Sequence, residues 1–81
     1  MFTSESIATR TLRDHISGEH AFCDNEHVTN KIMAVFDELE LGLRLGQQNA
    51  GRIIAWRGVL KMFLQGHDME ALVEAEKLCA A

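Results

Sequence analysis

The chain has 81 residues, which is enough for one small domain spanning residues 1–81, with a core that buries about 60–65 % of the unfolded surface. Hydrophobic residues make up 47 % and charged residues 25 % of the sequence, which excludes intrinsic disorder, and the net charge of −4 disfavours nonspecific nucleic-acid binding. A domain of this size is marginally stable by itself, so we expect a partner or self-association.

The sequence carries no targeting signal that we recognise. No segment approaches the roughly 20 apolar residues of a membrane span, and the N-terminus lacks the apolar stretch of a secretory signal. Cys23 and Cys79 are far apart and form no CxxC pair. We therefore expect a reduced, cytoplasmic protein without a membrane span.

Charge is distributed unevenly along the chain. Residues 1–40 hold eight acids and three bases, residues 41–66 hold four bases and no acid, and residues 67–81 hold four acids and one base. A basic central helix packed between acidic neighbours explains this distribution. The alternative is a basic strip for an acidic partner, but Arg52 would project away from Arg57 and Lys61 on a helix.

The first predicted helix runs from about Ser4 to Ser17, with Ser4 or Ser6 as its cap and Gly18 at its end. A polar connection over residues 18–26 follows it. The apolar face of the helix is thin and consists of Ala8, Leu12, His15 and Ile16.

The second predicted helix begins near Asn25. Leucine at every second position of residues 38–45 is a strand pattern, but the helical period continues from Val28 and no second strand exists to pair with it. Leu41 and Leu45, with Ala34, then form a second apolar stripe. The main apolar face consists of Val28, Ile32, Val35, Phe36, Leu39 and Leu43.

A turn is predicted over residues 46–49, with Asn49 as the next helix cap. One unbroken helix over residues 25–65 is the alternative, since Gly42, Gly46 and Ala50 keep helical spacing. Two helices are favoured because each glycine inside a helix costs about 1 kcal/mol relative to alanine.

The spacing of apolar residues over residues 52–78 predicts two amphipathic helices joined by a tight turn. Gly66 suits a left-handed helix end, Asp68 can cap the next helix, and the small Ala71 and Ala75 allow close packing. The predicted fold is therefore all-α, with four helices in two antiparallel helix hairpins.

The second hairpin resembles a tetratricopeptide repeat. The resemblance rests on Trp56 near the start of its first helix, Phe63 in the last turn, QG at the turn and EAL in the second helix. Gly58 is one place off the motif, Ala75 replaces a large residue, and the closing proline is missing. The resemblance implies a degenerate tetratricopeptide-like array.

The wider pattern resembles the bacterial repeat-type chaperones of type III secretion needle subunits, a virulence-associated family. It comprises a short first helix, the Gly18-x-His20 turn and the segment QGHDMEAL. The resemblance implies a partner, the needle subunit, whose helix lies in an apolar groove, and a second small co-chaperone beside it. Carried over by position, the groove residues are Leu39, Leu43, Ile53, Trp56, Leu60 and Phe63.

The sequence holds more apolar side chains than a small core accommodates. We expect some of Leu41, Leu45, Ile54 and Met62 to stay on the surface and to serve a partner. Taken singly, Trp56 and Phe63 fit a core better than a groove; in the alternative, they form the pockets that anchor the partner helix.

Metal binding and catalysis have little support. His15, His20, Cys23 and His27 lie within thirteen residues, but they lack two closely spaced ligand pairs, so no metal or other cofactor is predicted. Cys23 beside a histidine has no third orienting group, so no enzyme activity is predicted.

A function of another class remains open. The acidic residues 1–40 also suit a small inhibitor or regulator, of the sort that mobile elements encode, which blocks a nucleic-acid-binding enzyme. Salt separates the two hypotheses, because groove binding survives high salt and charge mimicry does not. A self-associating helical protein is a third possibility.

Overall fold

A computed structural model describes residues 3–18 and 24–80 of the chain. The prediction of an all-helical protein with two helix hairpins is confirmed: the first helix packs on the second and the third on the fourth. The four helices are α1 (Ser4–Ser17), α2 (Asn25–Arg44), α3 (Ala50–Leu64) and α4 (Asp68–Ala80).

The two hairpins pack on each other through both pairs of neighbouring helices, α2 with α3 and α1 with α4. Thr9 early in α1 contacts Cys79 late in α4, with 3.1 Å between Oγ1 and Sγ. His15 late in α1 lies beside Asp68 at the start of α4. Helices α1 and α4 are therefore antiparallel, and the four helices surround one core as in a four-helix bundle.

Glycine ends three of the helices, as predicted. Gly18, Gly46 and Gly66 have φ angles of 70°, 89° and 86°, in the left-handed region that a side chain disfavours. The amide of Gln47 donates to the carbonyl of Gly42 at 2.9 Å, which closes the end of α2. The prediction of two helices rather than one over residues 25–65 is thus confirmed.

Helix starts were predicted less well than helix ends. Thr3, not Ser4, caps α1. The side chain of Thr3 accepts a hydrogen bond from the amide of Ser6, and the side chain of Ser6 accepts one from the amide of Thr3. Asp68 is the first residue of α4 rather than its cap. The predicted connection 18–26 is described only in part, since residues 19–23 lie outside the described residues.

Asn49 occupies the cap position of α3 but does not cap it with its side chain. Its amide nitrogen instead donates to the carbonyl of Leu39 in α2 and to the side chain of Gln47, each at 3.3 Å. The residue therefore fixes the connection between α2 and α3 against the end of α2.

The core runs along the centre of the bundle, where the predicted apolar faces of the helices meet. Trp56 is its largest fully buried side chain, and burial of such a side chain stabilises the fold by about 2–3 kcal/mol. The buried apolar residues are Ala8, Leu12, Val28, Ile32, Val35, Leu39, Ile53, Trp56, Val59, Phe63, Ala71, Leu72 and Ala75. Among the described residues, none of the helices has the length and apolar character that crossing a membrane requires.

Candidate functional site

The side chains predicted to line a partner groove divide between the core and the surface. Trp56 and Phe63 are only 0 % and 4 % exposed, and Leu39 and Ile53 are also buried. These four side chains cannot contact a partner while the bundle is closed, because the other helices cover them. For Trp56 and Phe63, the structure therefore corresponds to the core alternative.

The two remaining predicted residues lie at the surface, next to the seam between α2 and α3. Leu60 is half-buried and lines a groove between these helices together with Met33 and Phe36. Leu43 is exposed and lies two helical turns beyond Phe36, toward the same side of α2. We call the surface lined by Met33, Phe36 and Leu60 the α2·α3 groove.

Charged side chains border the α2·α3 groove on both walls. Asp37 and Glu40 stand on the α2 wall, and Arg57 stands on the α3 wall. All three are exposed, so their charges face solvent or a bound partner. An apolar floor between walls of opposite charge is a suitable surface for an amphipathic helix.

A second apolar surface lies on the other side of α3. It is lined by Met62 of α3 and by Met69 and Val73 of α4, with Glu70 and Glu74 at its edge. We call this surface the α3·α4 groove. This groove was not predicted from the sequence, because Met69 and Val73 do not belong to the buried face of α4.

The predicted excess of apolar side chains is largely confirmed. Leu41, Leu45 and Ile54 are exposed, whereas Met62 is half-buried against the core. Leu64, which continues the buried face of α3 in the sequence, is also exposed. The closed core thus leaves apolar surface on α2, α3 and α4 that intramolecular packing does not use.

A partly buried polar cluster, which was not predicted from the sequence, joins α1 to α3. The carboxylate of Glu5 accepts hydrogen bonds from Nε and Nη2 of Arg52 at 2.8 and 2.9 Å. The same carboxylate accepts a third from Nε1 of Trp56 at 2.8 Å. The Glu5 side chain is 14 % exposed, so this charge depends on the protein for its solvation.

Arg52 extends the cluster to the fourth helix. Its Nη2 also donates to the backbone carbonyl of Leu78 at 2.9 Å, near the end of α4. The hydrogen-bonded carboxylate of Glu5 raises the pKa of Arg52 above its ordinary value, against the opposing effect of burial. One carboxylate and one guanidinium therefore hold α1, α3 and α4 together at one end of the bundle.

Helical spacing could have revealed this cluster. Glu5 precedes Ala8 and Leu12 by three and seven residues, so it continues the buried face of α1. Arg52 precedes Trp56 by four residues and continues the buried face of α3 in the same way. Two opposite charges that continue two buried faces are a signal for an ion pair between the helices.

The predicted absence of a metal site rests on a cluster that the structure describes only in part. His20 and Cys23 lie outside the described residues. His15 packs edge-on against Phe63, with ring centroids 5.5 Å apart, and its Nε2 lies 3.6 Å from the carboxylate of Asp68. Across residues 3–18 and 24–80, no three potential ligands come close enough to hold a metal ion.

Comparison with known proteins adds no relative: no family model, curated protein or solved structure matches the chain. The resemblance to needle-subunit chaperones stays a prediction.

Proposed function

We propose that this protein is a small chaperone that binds an amphipathic helix of a self-assembling partner in the α2·α3 groove and keeps that partner monomeric. One observation carries the proposal. Met33, Phe36 and Leu60 offer apolar surface beside a core that Trp56 and its neighbours already fill. Phe36 and Leu60 pack partly against this core, and the apolar surface that they and Met33 leave open is typical of a protein-binding site.

The dimensions of the groove suit a helix. From Met33 to Glu40 the α2 residues that line the groove extend over about 10 Å, which is nearly two helical turns. A partner helix would place residues spaced i, i+3, i+4 and i+7 on this floor. The acids Asp37 and Glu40 on one wall and Arg57 on the other would select one direction for that helix.

The chemistry of assembly explains why such a groove serves a chaperone. A subunit that polymerises through a helix must bury an apolar stripe, and a groove that covers this stripe prevents assembly. By the resemblance, the partner would be the needle subunit of a type III secretion system, bound in the cytoplasm before export. A second small co-chaperone would complete the complex.

The alternative of an acidic inhibitor has less support, because folding uses several of the acids in residues 1–40. Glu5 is bound by Arg52 and Trp56, Asp24 caps α2, and Glu38 accepts a hydrogen bond from the amide of Ser4. These carboxylates are not free to imitate nucleic-acid phosphates.

The experiment combines capture from the native host with an assembly assay. Wild type is compared with Met33→Glu, which places a charge on the groove floor, and with Leu41→Glu, which changes α2 outside the groove. These two positions are 48 % and 56 % exposed, so the variants are matched for the surface they alter. Captured proteins are eluted at low and high salt, purified, and followed by light scattering as they assemble.

We expect wild type and Leu41→Glu to retain a small helical protein at high salt and to suppress its assembly. Met33→Glu should lose both activities. Equal retention by all three forms, or suppression by Met33→Glu, would contradict the proposed groove. A nucleic-acid enzyme released by salt would favour the inhibitor instead.

A further inference from the structure

We propose that the α3·α4 groove is a second binding site, and that its occupant is a cationic amphipathic helix of another protein. The proposal does not depend on the α2·α3 groove, because a different set of side chains lines each surface.

The floor of the α3·α4 groove is adaptable apolar surface. Met62 of α3 lies beside Met69 and Val73 of α4, and the latter two are exposed. Methionine side chains are flexible and polarizable, so they adjust to the shape of a bound apolar surface. Many helix-binding grooves use methionine for this reason.

The charge at the edge of the groove determines the chemistry of the occupant. Glu70 and Glu74 stand next to the apolar floor, and none of the described residues that line the groove is basic. Lys77 approaches Glu74 at 3.5 Å, but both side chains are well exposed, so this pair is weak and can be exchanged. Lysine or arginine beside the apolar stripe of a partner helix would therefore be complementary to this edge.

One helix cannot fill both grooves. They lie on opposite sides of α3, whose outer surface between them carries the exposed side chains of Ile54 and Lys61. The α2·α3 groove also has Arg57 on its wall, whereas the charged side chains among the described residues that line the α3·α4 groove are the acids Glu70 and Glu74. The two surfaces therefore differ in the partner charge that they favour.

The methionines supply a separate reporter for each groove. Besides Met1, the chain has three methionines: Met33 lies in the α2·α3 groove, and Met62 and Met69 lie in the α3·α4 groove. Full-length protein labelled with ¹³C at the methionine methyl groups is titrated with two synthetic helical peptides of about 14 residues, or four turns. One peptide contains leucine and lysine, and the other contains leucine and glutamate at the same positions.

Two variants test the contribution of the carboxylates. Glu70→Gln/Glu74→Gln removes the acids of the α3·α4 groove, and Asp37→Asn/Glu40→Gln removes the same charge from the α2·α3 groove. The affinity of the lysine peptide is measured from the methyl shifts of Met62 and Met69 at low and high salt.

We expect the lysine peptide to shift the methyl signals of Met62 and Met69, and the glutamate peptide to leave them unchanged. Glu70→Gln/Glu74→Gln should weaken this binding by about five- to tenfold, and the control pair by less than about twofold. Equal shifts from both peptides, no shift at Met62 and Met69, or no effect of the Glu70/Glu74 variant would overturn the proposal. Concentration-dependent shifts without peptide would assign the groove to self-association and also overturn it.

Discussion

The indole Nε1 of Trp56 donates a hydrogen bond of 2.8 Å to the carboxylate of Glu5 across the core, from α3 to the diagonally opposite α1. Arg52 donates two more hydrogen bonds to the same carboxylate from one turn earlier in α3. Ala8 and Leu12 pack the middle of α1 into the core, and the Glu5 contact ties the start of the same helix to α3. Removal of the Glu5 carboxylate should therefore loosen α1 first.

Glu5→Ala should lower the free energy of unfolding by about 2–3 kcal/mol. The substitution leaves the buried N–H of Trp56 without an acceptor and leaves Arg52 with only its hydrogen bond to the carbonyl of Leu78, and such desolvated donors are costly. Arg52 is 35 % exposed, and solvent screening keeps the loss below that of a fully buried pair. Urea unfolding followed by Trp56 fluorescence measures it.

Arg13→Ala is the control for Glu5→Ala, because it removes an ion pair of α1 that is exposed to solvent. Arg13 and Glu76 also join α1 to a neighbouring helix at 2.9 Å, but their side chains are 57 % and 46 % exposed. The loss should be less than about 1 kcal/mol. A loss equal to that of Glu5→Ala would show that charge pairing in general, and not the partly buried cluster of Glu5, Arg52 and Trp56, holds α1.

The contribution of the Glu5–Arg52 pair to the free energy of unfolding should not change at alkaline pH. The pKa of Arg52 is raised in the folded state, so its contribution is complete below the unfolded pKa and is lost only as pH rises through the still higher folded value. Both values lie above the range of ordinary measurements. The difference in unfolding free energy between wild type and Glu5→Gln should therefore stay constant between about pH 7 and pH 10. A difference that shrinks as pH rises would argue against this ion pair.

Substitution of glycine by alanine should have opposite effects in a turn and in a helix. Gly46→Ala should destabilise the protein by about 1–2 kcal/mol, because φ is 89° at this position. Gly58→Ala should stabilise it by about 0.5–1 kcal/mol, because Gly58 lies inside α3 and an added Cβ meets no atom within 4 Å. Thermal unfolding of the two variants compares the signs directly.

Gly42→Ala should not give the gain expected for a helical glycine. Its added Cβ would clash with the side chains of Asn49 and Gln47, which fold back over the end of α2. These side chains must move, and Asn49 then loses its hydrogen bond to the carbonyl of Leu39. We expect destabilisation by about 1 kcal/mol, measured by urea unfolding against Gly58→Ala.

Met33→Glu should leave the fold intact, so its effect on partner binding can be interpreted. Met33 is nearly half exposed and lies outside the buried core, and surface substitutions of this kind change stability by about 0.5 kcal/mol or less. Circular dichroism and urea unfolding should match those of Leu41→Glu. A much larger loss would mean that Met33 is structural.

The sequence predicts the helices well because their signals are local. The periodic spacing of hydrophobic residues locates the buried side of each helix. Gly18, Gly46 and Gly66 mark the ends of α1, α2 and α3, because each adopts a left-handed backbone conformation. Asn49 shows the limit of local rules: it occupies a cap position, but its side chain bonds across the connection to Leu39.

The candidate site was harder to predict because it depends on how the hairpins pack together. An apolar face does not reveal whether another helix or a partner covers it, and Trp56 and Phe63 lie on the side that the bundle covers. Helical spacing places Glu5 on a buried face, but its contact with Trp56, 51 positions away, depends on how the helices pack together. Leu60 and Leu43 lie at the surface because they stand at the margins of their buried faces.

Photocrosslinking from the groove tests the proposed helix-binding function most directly. A photoreactive amino acid replaces Met33 in one form and Leu41 in the other, and each is activated in the native host. We predict a crosslink from position 33, and none from position 41, to a helical protein whose purified form self-assembles. Crosslinks from position 41 alone, from neither position, or only to a second copy of this chain would contradict a helix-binding chaperone that uses the α2·α3 groove.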